Sequence, residues 1–209
     1  MLPRNVASPP TALYYAFRRA GRDRPVVGHS FSGYERELRY LLEGQPAAVR
    51  SYARALPPPE RSDFERVIDE PFLVIRGAGS LGLDLVALRR ELAFPIEVKA
   101  SAEPVIRFTA ASGRANLQLE AHRKAVGRAG LTVLYAYRRL GLRGEEAWRF
   151  YVANAGPSSG VLGLVCRRLP AVGATREGNG ILRWEEGVPL SKFLARTRFL
   201  LERPEGASA

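Results

Sequence analysis

The sequence predicts an α/β domain with a central mixed β-sheet flanked by helices. Short apolar runs of strand-like composition alternate along the chain with segments of helical periodicity, which is the pattern of a layered α/β protein. The adjacent runs at 83–88 and 93–100 are too closely connected for a parallel crossover, so they are expected to pair antiparallel. A sheet that contains this hairpin and also helix-connected strands is therefore mixed.

The first helix is predicted in "SGYERELRYLLEG", where Ser32 can cap the start and Gly44 can end the helix. Tyr34, Leu38 and Leu41 follow helical spacing and indicate one apolar face. The next segment, to residue 70, contains three consecutive prolines and predicts two short helices around a rigid break.

The remaining elements are predicted from apolar runs and from the residues that typically begin or end helices and strands. A helix is predicted in "SGRANLQLEAHRKAVGRAG", with Ser112 as its cap and Gly130 as its end. A glycine-rich stretch runs to Gly180, and "ILRWEEG" then precedes a short final helix in "PLSKFLART". The predicted strands are "PFLVIRG", "LGLDLVAL", "AFPIEVKA", "LTVLYAYRR" and "WRFYVAN".

The chain length of 209 residues suits one sizeable domain. Residues 1–30 are rich in Pro and Arg and are expected to form an N-terminal extension, with a single domain at 31–209. The single cysteine, Cys166, excludes an internal disulfide and is expected to be a small buried hydrophobe. No apolar run reaches the length of a membrane span and no signal core is found, so a cytoplasmic, nucleoid-associated location is expected.

The charge of the chain points to a polyanionic partner. The formal net charge is +11 and the pI is about 10.5, which favours nucleic acid over an anionic membrane, with a merely basic surface as the alternative. Nearly all the basic residues are Arg, and Lys occurs only at 99, 124 and 192. Lys99 lies within a predicted strand, where an ammonium offers a compact charge that Arg does not.

Two carboxylates and this ammonium fall on the predicted hairpin. Glu97 and Lys99 share one face of their strand, because residues two apart in a strand point the same way. If Arg90 and Glu91 form a two-residue turn, Asp84 lies opposite Glu97, with Cβ atoms roughly 5 Å apart.

Carboxylates this close repel each other unless a cation or a proton lies between them. Mg²⁺ fits, since it takes one or two carboxylates and completes its shell with waters and phosphate oxygens. The ion would stabilise charge on a transferring phosphate, and Lys99 would orient the attacking water or stabilise the phosphate. The alternative is an ion pair of Lys99 with Asp84 or Glu97 at a sheet edge.

Asp84, followed by Glu97-x-Lys99 after a short hairpin, resembles the PD-(D/E)XK nuclease motif, with Leu83 in place of its proline. The segments "GYEREL", "VIRGAGSLGLDLVAL", "IEVKAS", the helix with Gln118 and "EEGVPLSKFL" look, in that order, like archaeal-type Holliday junction resolvases. The resemblance covers most of 31–196, with insertions near 44–70 and 157–178. It implies a restriction-endonuclease-like fold.

The resemblance also implies roles for residues around the motif. Glu35 would support metal binding from the first helix, and the backbone carbonyl of Val98 would be a further metal ligand. Ser80 would lie near the scissile phosphate. The alternatives are a solvent-facing helix charge for Glu35 and a turn residue chosen for local hydrogen bonding at Ser80.

A second group of residues would position DNA or brace the site. Arg36 and Arg76 match phosphate contacts in such resolvases, while Arg107 and Arg114 lie on the predicted loop and helix start after the motif and would hold the DNA backbone without reading bases. Gln118 would brace the site, and an exposed helix polar group is its alternative.

The function implied is a Mg²⁺-dependent, structure-selective endodeoxyribonuclease that resolves four-way DNA junctions in recombination and repair, with Mn²⁺ as a substitute ion. A homodimer suits a two-fold substrate, and "LGLVC" and "PLSKFL" are candidates for its interface, with core packing as the alternative. The competing functions are a restriction-like or repair endonuclease acting on other DNA, and a non-catalytic DNA-binding protein of the same fold. Few features support an enzyme acting on RNA.

Overall fold

A computed structural model of the protein describes residues 32–77, 82–108, 114–142, 144–154 and 160–202. The predicted N-terminal extension, Ser80 and Ser112 lie outside these residues. The helices are α1 (Ser32–Leu42), α2 (Pro46–Ala53), α3 (Pro58–Glu65), α4 (Arg114–Gly127), α5 (Gly160–Cys166) and α6 (Leu190–Glu202), with 3-10 turns at Arg66–Ile68 and Trp184–Glu186. The strands are β1 (Leu73–Arg76), β2 (Leu85–Arg89), β3 (Leu92–Ser101), β4 (Val105–Arg107), β5 (Leu134–Arg139), β6 (Trp148–Val152), β7 (Gly173–Ala174), β8 (Gly180–Arg183) and β9 (Val188–Pro189).

The central sheet has six strands in the order β1-β2-β3-β5-β6-β9. Strands β3 and β5 pair parallel, and the other neighbours pair antiparallel, so the prediction of a mixed α/β sheet is confirmed. A second, three-stranded antiparallel sheet has the order β4-β8-β7. The sequence did not predict this second sheet.

The central sheet has apolar packing on both faces. On β5, Leu134 and Ala136 belong to a core cluster that includes residues of α1, α2 and α6, while Tyr135 and Tyr137 belong to a second cluster with Leu119 of α4. Alternation along β3 follows the same rule, since Ile96 and Val98 join the first cluster. Glu97 and Lys99 therefore share the sheet face of Tyr135 and Tyr137, which stand beside them in the parallel register.

The hairpin has the predicted turn and register. Leu85 pairs with Ile96 and Arg89 with Leu92, which leaves Arg90 and Glu91 as a two-residue turn. Arg90 has a φ of 50°, a conformation that side-chain-bearing residues rarely adopt. Its guanidinium donates a hydrogen bond of 2.8 Å to the carbonyl of Leu201, so the turn is tied to the end of α6.

The segment at 44–70 is part of the main core. Val49, Ala53 and Phe64 of α2 and α3 are buried in the same cluster as the sheet. Two ion pairs connect this segment to the rest of the domain, one between Arg89 and Glu70 and the other between Arg198 and Asp63. The two short helices around a proline break were predicted and are confirmed.

Both apolar segments considered for a dimer interface pack inside the domain. Val165 and Cys166 of α5 are buried in the first cluster, and so are Leu190, Phe193 and Leu194 of α6. Core packing, the alternative to an interface, accounts for these residues, and Cys166 is buried as predicted. The final helix extends to Glu202 and is longer than predicted.

A buried acid caps the start of α6. Glu146 accepts hydrogen bonds from the backbone N–H of Ser191 at 2.6 Å and from its hydroxyl at 2.8 Å. We expect Glu146→Ala to lower the free energy of unfolding by about 1–3 kcal/mol, because it leaves a buried N–H without an acceptor. Denaturant titration measures this, and Glu145→Ala, at the exposed neighbour, is expected to change stability little. Equal effects of the two substitutions would contradict the capping role.

Across the described part of the chain, the helices all fall short of the length and apolarity that crossing a membrane requires.

Candidate active site

A cavity of about 360 Å³ opens where α1, β3 and β4 meet the chain just before β2. Its lining residues are Glu35, Asp84, Glu97, Val98, Lys99, Ala100 and Ile106. The fold thus brings four charged residues predicted for the site to one place, although they are up to 64 positions apart in sequence.

Asp84 lies where the β2–β3 ladder ends. Its backbone carbonyl accepts a hydrogen bond from Gly77 N–H at 2.8 Å, and its own N–H donates to the carbonyl of Ile96 at 3.0 Å. The carboxylate Oδ2 accepts from Val98 N–H at 2.7 Å. Burial raises the pKa of Asp84, while the Val98 hydrogen bond and the charge of Lys99 act in the opposite direction. The side chain is therefore held against β3 on the wall of the cavity.

Glu97 is the most deeply buried of these acids, with 4% of its surface exposed. Its Oε1 lies 2.6 Å from the Lys99 ammonium. Its Oε2 is buried without a hydrogen-bond partner in the described structure. Burial raises the pKa of Glu97 to about 7, against the lowering effect of Lys99, and the nearby charge of Asp84 adds to the increase. The ion pair named as the alternative is thus present, but it lies on an interior strand of the sheet.

Gln118 connects α4 to two parts of the site. Its amide Nε2 donates a hydrogen bond of 2.7 Å to the carbonyl of Gly82, and its Oε1 accepts from Lys99 Nζ at 3.3 Å. Gly82 has a φ of +68°, and a Cβ added there would lie 2.5 Å from the Gln118 amide nitrogen. Glycine at this position therefore allows the close approach of the chain before β2 to α4.

Glu35 approaches the cavity from α1. Its Oε2 lies 3.7 Å from Nη2 of Arg76, the last residue of β1. Burial and the charge of Asp84 raise the pKa of Glu35, and Arg76 opposes that increase. Glu35 is therefore half-buried and close enough to Asp84 to feel its charge, so it does not fit the alternative of a fully solvent-facing helix charge.

Of the other residues predicted for the site, the structure describes some and not others. Arg36 and Arg107 are exposed, on α1 and β4. Arg107 follows Ile106 of the cavity wall and lies on a strand, where a loop was predicted. The side chain of Arg114 and all of Ser80 lie outside the described residues.

Tyr135 and His122 lie close to the site and were not predicted to be part of it. Tyr135 stands beside Glu97 in the parallel register, and its hydroxyl lies 3.0 Å from Nδ1 of the buried His122. Burial raises the pKa of Tyr135, and the charge of Glu97 adds to this. The alternation in "LYAYRR" contained the signal, but the sequence did not show which face of β5 would meet the carboxylates.

The donor chemistry of the cavity fits a hard divalent cation. Carboxylate oxygens are the protein ligands that Mg²⁺ takes, and the Glu97 carboxyl, on which the charge of Asp84 acts, has a buried Oε2 with no hydrogen-bond partner within the described ranges. Within the described ranges, no three His, Cys, Asp or Glu groups are close enough together to hold a metal ion. The arrangement therefore offers two neighbouring acids, with the third, Glu35, engaged by Arg76.

The fold and the cavity define a mixed α/β protein with a buried acid, a half-buried acid and a lysine in one pocket. No family model matches the chain, and no curated protein matches its sequence. Among solved structures, it is similar to Hjc, a Holliday junction resolvase from the archaeal hyperthermophile Archaeoglobus fulgidus. The identity is 20%, the TM-score is 0.41, and the match covers 65% of this chain and 91% of that chain. At those values the likeness assigns neither a fold nor an activity to this protein.

Proposed function

We propose that this protein is a Mg²⁺-dependent endodeoxyribonuclease of the PD-(D/E)XK type, with a restriction-endonuclease-like fold, that resolves four-way DNA junctions. The observation that carries the proposal is the meeting of Asp84, Glu97 and Lys99 in one cavity, with a buried carboxylate oxygen that has no hydrogen-bond partner among the described residues. Acids in a cavity whose pKa values are raised by burial, beside a lysine, are typical of functional sites.

Asp84 and Glu97 would hold the ion, with Glu35 and the Val98 carbonyl as further ligands. When bound, Mg²⁺ would neutralise charge on the scissile phosphate and make a water more acidic. Lys99, held in place by Gln118, would present its ammonium to a phosphate oxygen. In the reaction a water oxygen bonds to phosphorus and the bond to O3′ breaks, and the leaving O3′ takes a proton. The products are a 5′-phosphate and a 3′-hydroxyl.

The charge of the chain supports a DNA substrate. A net charge of +11 favours binding of a phosphate backbone. Arg36, Arg76 and Arg107 are exposed and would contact phosphates without reading bases. A homodimer would place two such sites on a two-fold substrate, and the protein would act in the cytoplasm, on nucleoid DNA.

Cleavage of a synthetic four-way junction beside a linear duplex of the same sequence tests the proposal. With Mg²⁺ or Mn²⁺, we expect paired nicks in the junction and an intact duplex. Equal cleavage of both DNAs would favour a restriction-like or repair endonuclease, and binding without cleavage would favour a non-catalytic DNA-binding protein. Either outcome would contradict junction resolution.

A further inference from the structure

Each carboxylate of the cavity already has a partner within the protein. Val98 N–H donates to Asp84, and the Lys99 ammonium lies 2.6 Å from Glu97. The guanidinium of Arg76 lies 3.7 Å from Glu35. Two of the three acids are therefore neutralised by cations of the chain itself, in the place where a divalent ion would do the same.

The two cations differ in how easily an outside anion can reach them. The Lys99 side chain is 22% exposed and is also held by Gln118, whereas the Arg76 side chain is 65% exposed. An ion pair with such an exposed partner is weak, and another anion can readily replace the carboxylate at the guanidinium. Arg76 ends the edge strand β1, and the backbone of the next residue, Gly77, donates to the carbonyl of Asp84. It therefore lies at the rim of the cavity with one side open to solvent.

We infer that Arg76 is a positioning residue that holds Glu35 in the DNA-free protein and releases it when a DNA phosphate takes its guanidinium. The inference rests on the proposed function for the identity of that anion. Guanidinium groups pair with phosphate in bidentate geometry, so a backbone phosphate competes well with a carboxylate at 3.7 Å. Once released, Glu35 is free to contribute to a cation held by Asp84 and Glu97.

This exchange makes DNA binding and cation binding reinforce each other. By thermodynamic linkage, DNA tightens cation binding by the same factor by which the cation tightens DNA binding. Because the Arg76 side of this ion pair is largely exposed, the contribution of the pair to that factor is expected to be about two- to fivefold.

The test uses the full chain carrying Arg76→Gln, with Arg50→Gln as a matched control that removes an equal charge from the exposed face of α2. The first measurement is Mn²⁺ affinity of the DNA-free protein by electron paramagnetic resonance. Arg76→Gln is expected to tighten it by about two- to fivefold, and Arg50→Gln to leave it unchanged. Adding Glu35→Gln to Arg76→Gln is expected to remove the gain, since Arg76 acts through Glu35.

The second measurement is DNA affinity with and without Ca²⁺, by fluorescence anisotropy on a labelled junction and on linear duplex. Ca²⁺ takes oxygen ligands as Mg²⁺ does, and a gel of each sample checks that the DNA is intact. The ratio of the two affinities is expected to be smaller in Arg76→Gln than in the unmodified chain and in Arg50→Gln. Using a ratio removes any direct loss of phosphate binding at Arg76.

Three results would overturn the inference. They are equal Mn²⁺ affinities in Arg76→Gln and the unmodified chain, a gain that persists when Glu35 is also replaced, and an unchanged Ca²⁺ ratio on both DNAs. None of them bears on whether the unmodified protein cuts junctions. The cleavage assay judges the proposed function separately.

Discussion

Asp84→Asn is expected to lower the rate of junction cleavage by about 10³-fold or more, while junction affinity changes by less than about threefold. The amide keeps the shape of the carboxylate and can still accept the hydrogen bond that Val98 N–H donates at 2.7 Å. It removes the negative charge that would hold a cation beside Glu97. Single-turnover cleavage gives the rate, and anisotropy without divalent ions gives the affinity.

Asp69→Asn is the control for this substitution. Asp69 is exposed, lies outside the cavity and loses the same charge. Cleavage by this variant is expected to stay within about twofold of the unmodified chain, as is usual for surface substitutions. If Asp84→Asn cleaves junctions as fast as the unmodified chain, the proposed role of Asp84 is wrong. A parallel loss of affinity and cleavage would instead indicate damage to the fold.

The geometry of the hairpin could be predicted because it depends on local rules. A two-residue connection fixes which residues pair, and the period of two in a strand fixes which face Glu97 and Lys99 share. The structure confirms the turn at Arg90 and Glu91. The direction of the Asp84 side chain was less predictable, because Asp84 lies just before β2. Its backbone N–H donates to the carbonyl of Ile96, while its carboxylate accepts a hydrogen bond from Val98 N–H.

Pairings between elements that are distant in the chain could not be predicted from the sequence. The strand β4 was expected as a loop, and α5 lies in a stretch interpreted only as glycine-rich. Both are short elements whose stability comes from partners distant in the chain: β4 pairs with β8, and Val165 of α5 is buried in the main core. Local propensity carries little information about elements of this kind.

The excess of arginine was assigned to nucleic-acid binding, but part of it serves the fold. Arg61 donates to the carbonyl of Ala53 at the end of α2, Arg90 to Leu201 near the end of α6, and Arg196 to Arg168 just after α5. Such contacts satisfy carbonyls that a helix leaves unpaired at its end. The net charge therefore overstates how much of the basic surface is available to DNA.

Glu97→Gln is expected to stabilise the protein at alkaline pH and to leave its stability unchanged at acid pH. Burial raises the pKa of Glu97 from 4.5 to about 7, so the folded state favours the protonated acid. The stability that Glu97 contributes is fully present below its unfolded pKa and is lost as pH rises through about 7. Glutamine resembles the protonated form and has no such loss.

The expected gain at about pH 8 is on the order of 3 kcal/mol in the free energy of unfolding, since each pKa unit corresponds to about 1.4 kcal/mol. At about pH 4, where the acid is protonated in both states, the variant and the unmodified chain are expected to unfold together. Denaturant titrations across this range measure the difference. Glu91→Gln, on the exposed turn of the same hairpin, is the matched control and should give no such pH-dependent gain.

The same unfolding measurements in the presence of Mg²⁺ test whether the ion binds at Glu97. At about pH 8 the ion is expected to stabilise the unmodified chain, because a cation that binds only the folded state shifts the unfolding equilibrium and offsets the buried charge of Glu97. Glu97→Gln should lose most of that response, while Glu91→Gln should keep it. Two results would contradict this prediction: Glu97→Gln is less stable than the unmodified chain at about pH 8, or it is more stable by the same amount at both pH values. Either would show that burial of the Glu97 charge does not destabilise the folded protein. Repulsion between the charges of Asp84 and Glu97 would then give no support to the proposal that a divalent ion binds in the cavity.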